Sequence, residues 1–145
     1  MRITLRAAQE SDVPYLLELR RLTMGSYLEK DGVPNTDEEN LNRIRYNFKD
    51  AQLIGFCGKL AGLFKASYLP HSHQWYLFQI QIHPDFQNKK IGSHLVKVLI
   101  DRASSQGAKV GLSVLKSNPA IKFYTDLGFK VIQEDDCEFE LLYEE

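Results

Sequence analysis

The amino-acid sequence predicts one α/β domain, a mixed sheet with helices on its faces. Three observations carry that prediction. Several short segments alternate polar and apolar residues at the period of a half-buried strand. Other segments place apolar residues at helical spacing behind a capping residue. The two kinds interleave in the order β-α-α-β-β-β-α-β-α-β-β, with no internal repeat and no low-complexity linker. The 145 residues suit a single domain, spanning residues 1–145.

Residues 2–6 alternate as a strand, with Ile3 and Leu5 on one face. Ser11-Asp12 opens a helix that tolerates Pro14 in its first turn. Val13, Leu16, Leu17 and Met24 form its stripe, and Gly25 weakens its end. Thr36-Asp37-Glu38-Glu39 has the form of a capping box. It starts a second helix with Leu41, Ile44 and Phe48, ending near Lys49. Residues 30–35, between the helices, read as a surface loop. Strands at 52–57 and 60–69 flank Gly58-Lys59, a hairpin signal. A third strand, 74–83, ends at Pro84. Ile91, Leu95, Val98 and Leu99 mark a helix that runs to about Gln106 and stops at Gly107. Val110, Leu112 and Val114 share one face of the strand at 110–115. Asn118-Pro119 is an N-cap followed by proline at the first helical position. Ala120, Phe123, Tyr124 and Leu127 line that helix, and Gly128 ends it. Strands at 129–133 and 137–143 finish the chain.

Eighteen Lys+Arg against nineteen Asp+Glu leave a net charge of −1. That balance excludes the broad basic footprint of a nucleic-acid or anionic-membrane binder. No apolar run is long enough to span a bilayer, and the N-terminus lacks a secretory apolar core. Cys57 and Cys137 form no CxxC motif or disulfide framework, and the four histidines lack metal-site spacing beyond a weak His71-x-His73 pair. The expectation is a cytoplasmic protein without a metal.

The chemistry concentrates between Gln79 and Ala103, where a strand enters a loop that feeds a helix N-terminus. Such a terminus offers free N–H groups and the positive end of a helix dipole, a ready site for phosphate. Gly92 permits close backbone approach, and Lys89 and Lys90 add positive charge. Neither GxGxxG nor GxxxxGK[ST] is present, so Rossmann and P-loop sites are not supported. An ordinary loop with solvated lysines is the alternative.

Gln87-Asn88-Lys89-Lys90-Ile91-Gly92 follows Ile80-Gln81-Ile82-His83-Pro84 and precedes a helix. Further on stands Asn118-Pro119-Ala120-Ile121-Lys122-Phe123-Tyr124-Thr125-Asp126-Leu127-Gly128-Phe129. Together these segments resemble the GNAT superfamily of N-acetyltransferases. Its phosphate motif reads Q/R-x-x-G-x-G/A and its later motif reads N-x-x-A-x-x-x-Y-x-x-x-G-F. The specific motifs span residues 75–130, while the element order agrees along the whole chain.

The resemblance implies a mixed, mostly antiparallel sheet with helices on both faces, and acetyl-CoA as co-substrate. The pantetheine would lie along Ile80, Gln81 and Ile82. The pyrophosphate would sit on Gln87 and on the N–H groups of Asn88, Lys89, Lys90, Ile91, Gly92 and Ser93, with Asn118 and Tyr124 also touching the cofactor. The flanking strands would splay apart. Acyl transfer to the amine would be direct, with backbone N–H near Ile80–Ile82 stabilising the oxyanion and Tyr124 serving the departing thiolate. Each residue also has a plain reading: Tyr124 as core, Asn118 as N-cap, Gly92 as a packing glycine, Gln87 as a solvated loop residue.

Two departures from the pattern stand out. Lys90 replaces the first motif glycine; a positive φ there would cost a lysine roughly 1–2 kcal/mol. Asn118 lies one residue nearer Ala120 than the family form, so Asn118 or Ser117 takes the family asparagine's role.

The strand at 75–82 lacks the carboxylate that many relatives carry there. His83, with an ordinary pKa of about 6.5, is the candidate base, though it also suits a turn. His71, His73 and Glu18 are weaker candidates, and a water chain or a neutral acceptor would need none. Tyr27, Glu29 and Trp75 are the candidate substrate-binding residues, with Tyr46 and Tyr68 beside them. The expected activity is acetyl-CoA-dependent transfer to a primary amine of a small molecule or peptide. The alternatives are a catalytically weak CoA-binding regulatory module and a non-CoA interaction protein. The expected partners are that amine and, as a homodimer, a second copy, with no nucleic acid and no membrane.

Overall fold

A computed structural model describes residues 2–144. The chain forms β1 (Ile3–Ala7), α1 (Val13–Lys30), α2 (Asp37–Arg45), β2 (Ala51–Phe56), β3 (Lys59–Leu69) and β4 (Gln74–Ile82). It continues with α3 (Ile91–Ser105), β5 (Lys109–Leu115), α4 (Ala120–Leu127), β6 (Lys130–Glu134) and β7 (Glu138–Tyr143). One seven-stranded sheet has the order β1-β2-β3-β4-β5-β7-β6. Every neighbouring pair is antiparallel except β4 with β5.

Helices cover both faces of this sheet, and strand periodicity distributes the core between them. Leu53 and Leu63 pack with Leu16 and Leu19 of α1 and Ile44 of α2. Their chain neighbours Ile54 and Phe64 point the other way, to Leu95, Val96 and Leu99 of α3. The central strands are therefore apolar on both sides, as buried strands must be.

Two helix boundaries differ from the sequence reading. α1 passes Gly25 and continues to Lys30. A glycine in a helix interior costs about 1 kcal/mol, and burial of Leu28, 2% exposed, outweighs it. α2 begins as expected, with Thr36 Oγ1 accepting from Glu39 N–H, but stops at Arg45. Its last carbonyls turn to Lys65 on β3, whose Nζ donates to the oxygens of Arg43, Ile44 and Tyr46 at 2.9, 3.1 and 2.5 Å. Phe48 falls in a separate short turn.

Two irregularities interrupt the pairing of β4. It carries one extra residue against β3, since Gln79 pairs with Lys65 while Leu77 pairs with Ala66. Such a bulge re-aims side chains locally. β4 and β5 pair only from Gln74–Lys109 to Leu77–Leu112. Beyond Leu77 the β5-facing edge of β4 has no strand partner among the described residues. On its other edge β3 comes very close; a Cβ on Gly62 would overlap the Gln81 carbonyl oxygen. Among the described residues, no helix is long and apolar enough to cross a membrane.

Candidate functional site

The divergence of β4 from β5 opens a cleft of about 120 Å³, lined by Gln79, Ile80 and Gln81 from β4, Ser113 from β5, and Asn118 and Tyr124 beyond it. Tyr124 lies on the apolar face of α4 and is 7% exposed. Burial alone pushes its phenol pKa up to about 12, so it holds its proton at neutral pH. Asn118 Oδ1 accepts from Ala120 N–H at 2.9 Å and so caps α4 while standing in the cleft wall.

Beyond the open edge of β4, the chain turns through residues 83–90 into α3. Asn88 and Lys90 both hold left-handed backbone, at φ 66° and 65°. Lys90 is the N-cap residue, and its carbonyl accepts from His94 N–H. The N–H groups of Ile91, Gly92 and Ser93 thus precede the first α-helical bond and have no partner within the helix. Free N–H groups at the positive end of a helix are the kind of donor an anion accepts from. The fold itself does not require glycine at 92: a Cβ there would meet only Ile80 and Ile82, at 3.9 Å, an ordinary contact. Gln87 Nε2 donates to the Ile82 carbonyl and ties this turn to the end of β4.

A larger cavity, about 510 Å³, adjoins the cleft on the α1–α2 side. Arg20, Met24, Phe78, Gln79, Ser113 and Leu115 belong to both. Arg20 is 7% exposed, with its Nε donating to Asn40 Oδ1 at 2.8 Å. Burial and nearby Arg43 lower its pKa to about 10, so it stays charged. Lys65, also in this wall, is pushed down to about 8 by burial and by Arg20 and Arg43. Behind the opposite wall, which Tyr76 and Ser113 line, Glu140 accepts from Ser113 Oγ at 2.6 Å and from Tyr76 at 2.9 Å. Burial and this carboxylate hold the Tyr76 phenol well above its usual range. Glu138 is raised by burial, against the pull of Arg43. Both amide atoms of Gln79 are buried and lack a hydrogen-bond partner among the described residues.

The structure brings Ile80, Gln81, Asn118 and Tyr124 into one cleft, while Ile82 ends β4 outside the cleft lining and Gln87, Asn88, Lys89, Lys90, Ile91, Gly92 and Ser93 follow in the turn and first residues of α3, with Gly92 beside Ile80 and Ile82. Apart from Tyr46, the other candidates line neither cavity. His83 Nδ1 accepts from Asp85 N–H and caps the turn after β4. Trp75 donates to Gln106 and lies under Arg102, away from the cleft. The Tyr27 backbone carbonyl accepts from Ser117 Oγ, and Glu29 accepts from Asn35. Glu18 pairs with Arg21 on the surface, and Tyr68 bonds His73. Only Tyr46 of the aromatic candidates lines the larger cavity. The sequence reading missed Arg20, Lys65 and Ser113. Arg20 did carry a signal, a cation at core spacing behind Leu16.

Residues 15–129 match the Acetyltransferase (GNAT) family. Three solved structures are similar along nearly the whole chain. A PaiA N-acetyltransferase from Thermoplasma acidophilum, in complex with coenzyme A, is 20% identical with a TM-score of 0.73, over 100% of both chains. An acetyltransferase from Thermus thermophilus is 19% identical with a TM-score of 0.75, over 100% of this chain and 98% of that one. The ribosomal-protein-S18-alanine N-acetyltransferase from Escherichia coli is 21% identical with a TM-score of 0.66, over 97% and 90%. No curated protein sequence matches the chain. With the family matched over most of the sequence and the same fold in these neighbours, the chain belongs to the GNAT acetyltransferase family.

Proposed function

We propose that this protein transfers the acetyl group of acetyl-CoA directly to a primary amine of a small molecule or peptide. The observation that carries the reading is the open edge of β4, which leads on to the free N-terminus of α3 and faces a cleft holding a protonated tyrosine.

The residues fit this co-substrate. The β4 edge beyond Leu77 is free to pair with an extended amide-bearing arm, as an added strand does. Gly92 leaves space that the fold does not need and a pyrophosphate does. Bound acetyl-CoA supplies an activated thioester. Around it, backbone N–H groups of β4 stabilise the developing oxyanion, and Tyr124 donates its proton toward the departing sulfur. The carboxylate absent from β4 comes from β7, where Glu140 holds Ser113 Oγ at the junction of the two cavities and takes up the proton of the acceptor ammonium through it.

The test is a thermal melt with acetyl-CoA, followed by thiol release with an amine panel. A rise in midpoint and release with at least one amine are expected. Stabilisation without release would leave a CoA-binding module, and neither would remove the proposal.

A further inference from the structure

The geometry points to an acceptor that carries a carboxylate as well as its amine, the carboxylate held by Arg20 and Arg43 and the amine presented between Gln79 and Ser113. This inference rests on the acyl transfer proposed above and names its substrate class.

Arg20 is buried in the wall shared by the cleft and the larger cavity. Arg43 and Lys65 stand in the same larger cavity. None of the three forms a salt bridge with a carboxylate among the described residues. Lys65 has its donors filled by three carbonyls. Arg20 differs, since only its Nε is held, by Asn40, which is itself 1% exposed and bonded to Asn35. That contact orients the guanidinium of a residue lining both cavities, and its terminal nitrogens have no hydrogen bond among the described residues. A buried cation without a counter-charge is costly, and a planar guanidinium matches a carboxylate with two parallel bonds. The neighbouring Arg43 raises the cost until an anion arrives.

The amine end has its own recognition. Gln79 carries an unpartnered buried carbonyl oxygen able to accept from it, and its amide nitrogen is equally unpartnered. Across the cleft, Ser113 is backed by Glu140. Arg20 and Arg43 share the larger cavity with Glu138, and cationic and anionic groups in one space suit a zwitterion, whereas a polyamine would set a cation against Arg20.

The experiment pairs L-amino acids with their C-terminal amides in a thiol-release assay, with ethanolamine, O-phosphoethanolamine and a polyamine as further arms. Acetyl-CoA stabilisation is measured separately. Free acids are expected to turn over, with the matched amide raising KM by at least about tenfold. Arg20→Met should bring the acid's KM up to that of the amide. Arg43→Gln, at an exposed position, should shift it the same way by a smaller factor and covers the case in which the Arg20 variant fails to fold. Thermal stabilisation by the free acid in the presence of CoA gives a readout without turnover. Amides or a polyamine used as well as acids would overturn the carboxylate while leaving acyl transfer intact. Preference for O-phosphoethanolamine would also overturn it, in favour of phosphate. Loss of acetyl-CoA stabilisation together with all turnover would overturn the transfer reading beneath it.

Discussion

The Nζ of Lys65, in the middle of β3, donates to the carbonyl oxygen of Ile44 near the end of α2, 3.1 Å away. The carbonyls of Arg43 and Tyr46 complete its set of acceptors. A buried lysine thus serves as a helix C-cap, closing α2 against the sheet and forming one wall of the larger cavity.

Stability should rise with pH above about 8 because of this lysine. Its pKa falls from 10.5 to about 8 on folding. Below that value both states hold the proton. Between the two values the unfolded chain holds more, so raising the pH favours the folded form, and above 10.5 the gain is complete. Denaturant melts across this range should show the upward slope, and Lys65→Met should flatten it.

Lys90→Gly should stabilise the protein. Lys90 sits at φ 65°, where a side chain costs roughly 1–2 kcal/mol, less about 0.4–1 kcal/mol for the extra freedom of an unfolded glycine. A net gain of up to about 1.5 kcal/mol is expected in equilibrium unfolding. A loss would assign the lysine a structural contact.

Gly92→Ala should separate folding from ligand binding. Alanine is favoured over glycine in a helix by about 1 kcal/mol, and its methyl would meet only ordinary contacts. The melting midpoint should hold or rise, while acetyl-CoA affinity falls by about tenfold or more as the backbone is held off the pyrophosphate. Unchanged affinity would dissociate this glycine from pyrophosphate binding.

Tyr124→Phe should lower kcat by about a hundredfold or more, the scale of a lost general acid. No hydrogen bond within the protein shifts its phenol; burial does. Removal should therefore leave stability nearly unchanged, so melting curves and kinetics distinguish an acid from a core tyrosine. Single-turnover rates exclude product release as the limiting step.

The fold was legible because its signals are local. Thr36 and Asn118 announced their helices by accepting from the N–H groups beyond them, and both do so. The alternation of Val110, Leu112 and Val114 placed β5 against α3 and α4. The errors at Gly25 and Lys49 have a common cause. Intrinsic propensity weakened α1 at a glycine and extended α2 along its apolar residues, whereas Leu28 and Lys65 decided both ends through tertiary packing. His83, Trp75, Tyr27 and Glu29 had suitable chemistry but face a turn, a helix end or the surface.

By itself the sequence determined the element order, the family and the turn that leads into α3, since capping residues, periodicity and a contiguous motif act over neighbouring positions. Only the tertiary structure brought together the residues proposed to receive the acceptor. Arg20, Lys65, Gln79, Ser113 and Glu140 come from five separate elements, α1, β3, β4, β5 and β7, and their adjacency follows from sheet order, one bulge and one early strand divergence. A side chain's period states which face it occupies; which distant residues share that face is set by how the sheet packs.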